Sequence, residues 1–163
     1  MGSEARFDEV FRRSYPRVLG YCLRRAPEPI AHDATAEVFA IAWRRRRDLP
    51  ADDGAVAWLL AIARRVLANE LRGQRRRSRL AVTISANAVD ASADAPDSPV
   101  TRALDDLAPD DQEVLRLVYW DDLSHAEIAQ VLGISVNAVA VRVHRARSRV
   151  KARLDEETRC RPT

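Results

Sequence analysis

Phe7, Val10, Phe11, Tyr15, Val18 and Cys22 recur every three or four residues, the spacing that lines one face of a helix. Pro16 falls inside this stretch and is expected to kink or split it, because proline lacks the amide that the preceding turn needs. A second periodic stretch covers residues 30–47, with Ala34, Val38, Ile41 and Ala42 on one side and four arginines at its end. Positive charge there suits the helix dipole. Asp52-Asp53-Gly54 reads as a turn. A long helix follows over residues 56–77, in which Leu59, Ile62, Ala63 and Val66 form a ridge that Leu60, Leu67 and Leu71 widen.

Between residues 78 and 102 the periodicity dissolves into a small, polar, acidic stretch without aromatics, which has too little apolar surface to offset its own ordering. Helical spacing resumes at Ala103. Pro109 followed by Asp110 and Asp111 makes a favourable first turn for a helix carrying Val114, Leu115, Leu117 and Val118. Ser124-His125-Ala126-Glu127 has the form of a capping box, in which the serine accepts from the third helical amide and the glutamate reaches back. Ile128, Ala129, Val131 and Leu132 give the apolar face of the helix that starts there, and Gly133 is placed to end it in a left-handed turn. Ser135 then caps a second helix, with Val136, Val139 and Val143 directed inward and Asn137, Arg142, His144, Arg145, Arg147 and Arg149 outward. That spacing is a helix-turn-helix. No β-alternation of useful length occurs, so the expected fold is all-α, two small helical domains (residues 1–77 and 103–163) joined by a flexible acidic linker over residues 78–102.

Charge adds a function to this outline. The chain has 163 residues and a net charge of +3, which conceals a segregation: residues 1–77 carry 16 basic and 10 acidic groups, residues 78–111 two and seven, and residues 112–163 nine and seven. Two basic ends around an acidic middle suit two polyanion-binding modules joined by a segment that a polyanion repels. From Arg142 to Arg153 there are six basic groups and no acidic one, as a helix entering the DNA major groove requires. Of the 27 basic residues only Lys151 is a lysine; arginine provides a planar fork for phosphate and guanine edges, although an alanine- and arginine-rich composition also accompanies GC-rich coding. No apolar run approaches the roughly 18 residues that span a bilayer, and the first residues are acidic where a secretory signal is basic and then apolar. Insertion in a membrane is not expected, and a cytoplasmic location is. Cys22 and Cys160 lie far apart and form neither a disulfide framework nor a zinc motif, and no metal or cofactor is expected.

The segments Leu107-Ala-Pro-Asp-Asp-Gln-Glu-Val-Leu, Leu123-Ser-His-Ala-Glu-Ile-Ala-Gln-Val-Leu-Gly-Ile-Ser-Val-Asn-Ala-Val and Arg142-Val-His-Arg-Ala-Arg together resemble region four of bacterial sigma factors. Residues 7–77 resemble region two. Glu37-Val-Phe-Ala-Ile-Ala-Trp43 and Ala57-Trp-Leu-Leu-Ala-Ile-Ala-Arg-Arg65 are similar to the paired helices of the extracytoplasmic-function subfamily, which lacks region three. Two motifs in the right order with the right kind of spacer are more specific than a helix-turn-helix alone.

The resemblance implies a factor that binds core RNA polymerase, recognises the −10 and −35 promoter elements and assists melting. Its partners would be the polymerase β′ coiled coil and β flap, promoter DNA and an anti-sigma factor. It implies polymerase contacts at Asp33, Glu37, Trp43 and Arg44, with the competing reading that Trp43 is core. It implies −10 contacts at Asp48, Trp58, Arg64, Arg65, Asn69, Arg72, Arg75 and Arg76, although Trp58 beside Leu59 also fits a buried position. For the −35 element it implies Ser135, Asn137, Ala140, Val141, Arg142, His144, Arg145, Arg147 and Arg149, with His144 and Arg145 toward bases and Arg142, Arg147 and Arg149 toward phosphates. The chain departs from the family at His32, where an acid is usual, at Arg65, where asparagine is usual, and at Ala138, Ala140 and Val141, which replace polar side chains. A shifted −35 preference is expected.

Three other classes compete, one of them a structural or adaptor protein that binds other proteins only, against which the basic recognition helix argues. A stand-alone helix-turn-helix regulator accounts for residues 103–154 but leaves the basic N-terminal segment without a dimerisation surface or ligand pocket. An enzyme would need a constellation, and His32, Asp33 and Glu37 with His125 and His144 match no metal or hydrolase spacing.

Overall fold

A computed structural model of the chain describes residues 3–50, 54–81 and 98–159. Among these residues there are seven α-helices and no strand. The chain divides into two compact units, residues 1–91 and 92–163.

In the first unit α1 (Ser3–Leu23), α2 (Glu28–Arg44) and α3 (Ala55–Ala81) pack against one another. Helix α1 runs unbroken through Pro16 instead of splitting. Both Pro16 and Arg12 are exposed, so water can satisfy the Arg12 carbonyl that has lost its amide partner. Phe7, Val18, Tyr21 and Cys22 point into the core, where Ala31, Ala34, Val38, Phe39 and Ala42 of α2 meet them. The small side chains on α2 allow close helix approach. The Thr35 hydroxyl, fully buried, donates to the Ala31 carbonyl at 2.7 Å and so carries no unmet hydrogen bond into the core. Leu59, Leu60, Ala63 and Leu67 of α3 complete the core, each large aliphatic side chain contributing about 1.5–3 kcal/mol. Phe11 and Tyr15, expected on the buried face, lie on the rim. The centre of the α1 face is set by Ser14 and Tyr21, which the apolar periodicity did not pick out.

After α2 a short 3-10 turn, Arg46–Asp48, leads to the buried Leu49. Asp52 and Asp53 of the expected turn lie outside the described residues. Past Leu67 no side chain of α3 described in the structure is buried. Its last 14 residues, about 21 Å of helix at 1.5 Å per residue, leave the core and carry arginines into solvent.

In the second unit α4 (Pro99–Asp105), α5 (Pro109–Tyr119) and α6 (His125–Leu132) surround α7 (Val136–Arg159). Val114, Leu115 and Leu117 of α5, Ile128, Ala129 and Val131 of α6, and Val139, Val143 and Ala146 of α7 are buried. Val136, expected inward, is half exposed; it begins α7 on the solvent side of the turn. Helix α4 was not anticipated as a separate element. Ser98 caps it by accepting from the Thr101 amide at 3.1 Å, and Pro99 occupies its first turn. The stretch of residues 78–102 thus has helix at both ends, α3 to Ala81 and α4 from Pro99, while residues 82–97 lie outside the described residues.

Candidate functional site

The turn between α6 and α7 follows the local chemistry of its sequence. Ser124 Oγ accepts from the Glu127 amide at 3.3 Å, and Glu127 Oε2 accepts from the Ser124 amide at 2.8 Å, the reciprocal capping box. Gly133 has φ +68°, and the amides of Gly133 and Ile134 both donate to the Ala129 carbonyl, at 2.9 and 3.1 Å. Ser135 Oγ accepts from the Ala138 amide at 3.1 Å and starts α7. The chain bends by 103° between the two helices, within the range of a DNA-binding helix-turn-helix.

Helix α7 buries Val139, Val143 and Ala146 and turns Asn137, Val141, His144, Arg145 and Ser148 to solvent on the opposite face. Ala140 is half buried, at the edge of that face. Arg145 and Arg147 are exposed and have no ion-pair partner among the described residues. Arg142 and Arg149, expected beside them, turn toward α5 instead. Arg142 Nη1 lies 3.5 Å from Asp110 Oδ2, and Arg149 pairs with Asp111. One turn further, Arg153 pairs with Asp106, whose hydrogen bond and charge raise the arginine's pKa above its ordinary value.

The second basic surface is on α3. Trp58, Arg65, Asn69, Arg72 and Arg76 recur at the spacing that aligns side chains along one helix face, and Arg64 and Arg75 form an adjacent exposed row. Trp58 is half buried, with the Arg45 guanidinium 5.7 Å from its ring centroid. The same Arg45 holds Asp48 at 3.1 Å. Asp48 and Trp58 are therefore joined through one arginine. Asn69 Oδ1 accepts from Arg72 Nη2 at 2.6 Å, which fixes the planes of both side chains. From Arg72 to Ala81 there are five arginines and no acid, a concentration of positive charge suited to a phosphate backbone.

A third surface lies on α2. Asp33, Glu37 and Arg44 fall on one exposed face with Ala36 and Ala40 between them, and Arg44 Nη2 donates to Glu37 at 3.2 Å. Trp43 sits at its α1 edge, 40% exposed, with its ring edge-on to Phe7 at 5.1 Å and Arg46 over it at 4.5 Å. Trp43 is thus neither wholly core nor wholly surface, being packed on Phe7 on one side and open to solvent on the other. Sequence reasoning missed what continues from it. Phe11 and Tyr15, each more than a third exposed, pack on Phe39 with centroids at 4.7 and 5.7 Å and form an aromatic rim beside the α2 face. Aromatic recurrence at residues 7, 11 and 15 was visible but reads equally as core.

Cys22 is fully buried beneath this surface, and burial pushes its thiol pKa up against the opposing hydrogen bond with Thr35. Among the described residues no single helix is long and apolar enough to cross a membrane.

Comparison with known proteins follows the same division. The family described as "Sigma-70 region 2" matches residues 10–77, and "Sigma-70, region 4" matches residues 98–150. The RNA polymerase sigma factor CarQ of Myxococcus xanthus is 29% identical over 161 residues, covering 95% of this chain and 92% of its own. The ECF RNA polymerase sigma factor SigK of Mycobacterium ulcerans is 28% identical over 156 residues, covering 89% of this chain and 83% of its own. Among solved structures, CnrH in complex with the cytosolic domain of CnrY aligns with a TM-score of 0.66 at 27% identity, over 94% of this chain and 90% of that one. The sigma factor RpoE bound to the anti-sigma factor NepR from Bartonella quintana shares the fold, with a TM-score of 0.69 at 21% identity over 91% of this chain and 96% of that one. With both regions matched in order, and with relatives that cover nearly its whole length, this chain belongs to the extracytoplasmic-function branch of the sigma-70 family, the sigma factors of promoter-specific transcription.

Proposed function

We propose that the chain binds core RNA polymerase through the exposed face of α2, recognises the −10 element with α3 and docks α7 in the major groove at the −35 element. The observation that carries this is the capped helix-turn-helix whose second helix presents Asn137, Val141, His144 and Arg145 to solvent, with Arg145 unpaired among the described residues. An arginine free of internal partners can form the bidentate contact to a guanine edge that gives sequence readout. Ser135 and Asn137, at the amino end of α7, would meet the groove first, and Ala140 and Val141 would offer apolar contact where thymine methyls lie.

On the −10 side, the Trp58-to-Arg76 stripe supports a role in holding one DNA strand. Its arginines follow the backbone, and the single indole, steadied by Arg45 and thus by Asp48, offers one stacking surface next to them. Arg64 and Arg75 broaden the cationic track. Strand capture of this kind assists melting because single-stranded bases are bound and paired ones are not.

Asp33, Glu37, Trp43 and Arg44 would form the polymerase contact, with a mixed-charge row beside an aromatic edge as befits a protein partner. The β′ coiled coil is the surface proposed for α2, and the β flap for the second unit. The match to region 2 over residues 10–77 weighs against a stand-alone regulator. The protein would act by binding and positioning in the cytoplasm, where the polymerase works, and leave catalysis to it. An anti-sigma factor is a further proposed partner; RpoE from Bartonella quintana, which shares the fold, is bound to the anti-sigma factor NepR. Co-elution with purified core polymerase tests the docking. Glu37→Lys should weaken it, and equal retention of the variant and the unsubstituted chain would refute the α2 assignment.

A further inference from the structure

The arginines of α7 form two rows with different surroundings. Arg142, Arg149 and Arg153 share one flank of the helix, and each meets a carboxylate from a preceding element: Asp110, Asp111 and Asp106 respectively. Asp111 is the most enclosed of the three, with only 14% of its side chain exposed. Asp110 and Asp111 also occupy the first turn of α5, at the positive end of the helix dipole, where negative charge is favourable. The opposite flank carries Arg147 and Lys151, exposed and without an ion-pair partner among the described residues.

A DNA phosphate reaching Arg149 must displace a carboxylate that is already in place. It would strand Asp111 in a largely enclosed position and bring two anions together. The Arg142 flank, three guanidinium groups against three carboxylates, is close to neutral as DNA would meet it. The Arg147 flank is not.

Resting on the proposal that α7 enters DNA, we infer that Asp106, Asp110 and Asp111 are internal counter-ions that withhold Arg142, Arg149 and Arg153 from the DNA backbone, so that phosphate contacts from α7 come from Arg147 and Lys151. The paired row positions α7 on α4 and α5. The free row sets the side from which the phosphate backbone approaches, and with it the rotation of Arg145 and His144 over the base edges. This differs from the sequence expectation, which grouped Arg142 and Arg149 with Arg147 as phosphate ligands.

The test uses the full chain and a fluorescein-labelled duplex of random sequence, with binding measured by anisotropy across a salt series. Each lost phosphate contact lowers the slope of log K against log salt by about one unit. Arg147→Ala and Lys151→Ala should each produce that loss. Arg149→Gln should leave the slope unchanged and lower the thermal midpoint of the second unit. Asp111→Asn, which keeps the side-chain shape and frees Arg149, should steepen the slope by about one unit. A slope lowered by Arg149→Gln as much as by Arg147→Ala overturns the inference, as does an unchanged slope for Asp111→Asn. Failure of the unsubstituted chain to bind any duplex would overturn the DNA-binding reading and this inference with it, an outcome distinguished because it needs no variant.

Discussion

Gly133→Ala isolates the turn on which the helix-turn-helix depends. The residue sits at φ +68°, and a methyl group built on it meets no atom within 4 Å. The cost is therefore conformational and involves no clash. Holding an L-residue in the left-handed region costs about 1–2 kcal/mol. Reduced freedom of the unfolded chain returns about 0.4–1 kcal/mol, leaving a net loss of about 1 kcal/mol. Both amide bonds to the Ala129 carbonyl survive the substitution, so the turn should persist at lower stability. In a unit of this size, 1 kcal/mol corresponds to a fall in Tm of about 4–8 °C. Gly133→Asn should cost less, because asparagine tolerates this conformation. Hydrogen exchange of peptides spanning α6 and α7, followed by mass spectrometry, localises the effect within the full chain. A loss of about 3 kcal/mol or more would show that the side chain meets something and refute the open-space reasoning. An alanine variant as stable as the parent would refute the left-handed turn.

Three other substitutions probe the remaining links. Leu59 of α3 is fully buried in the core of the first unit, so Leu59→Ala should destabilise that unit by about 2–5 kcal/mol in urea denaturation; a negligible loss would contradict the core described above. Burial raises the Cys22 pKa in the folded state, so its contribution to stability is full below the ordinary thiol range and falls as pH rises, because the unfolded thiol ionises first. Cys22→Ala should flatten that alkaline decline in a pH series of denaturation curves, and an identical decline in both proteins would exclude the thiol as its source. Arg145→Ala should reduce discrimination at one base pair by about 1–3 kcal/mol across a library of −35 variants, whereas a uniform loss over all variants would mark it as a phosphate contact.

What the sequence disclosed was set by how local the chemistry is. Ser124 and Glu127, three residues apart, form their cap without help from distant elements, and Gly133 needs only its own backbone. The all-α fold and the buried faces of α3 and α5 follow from the same short-range periodicity. Partnerships across the fold were not legible in this way. Arg149 and Asp111 lie 38 residues apart and meet because α5 packs on α7, so the basic run at Arg142 to Arg153 looked uniform when half of it is paired. Phe11 and Tyr15 fit the helical period but fall on the rim, since Ser14 and Tyr21 turn the face of α1 by part of a turn. Helix α4 is short and its Ser98-Pro99 start was absorbed into a polar stretch. The Ser98 cap to the Thr101 amide was a local signal that could have found it.

This chain is proposed to direct polymerase to promoters through two separate DNA elements. Sequencing the transcripts made in vitro by core RNA polymerase with and without the protein, on genomic DNA, tests it most directly. A new set of start sites that share two upstream elements at fixed spacing is expected, with Arg145→Ala relaxing the distal element and leaving the proximal one intact. Start sites identical with and without the protein would contradict the proposal.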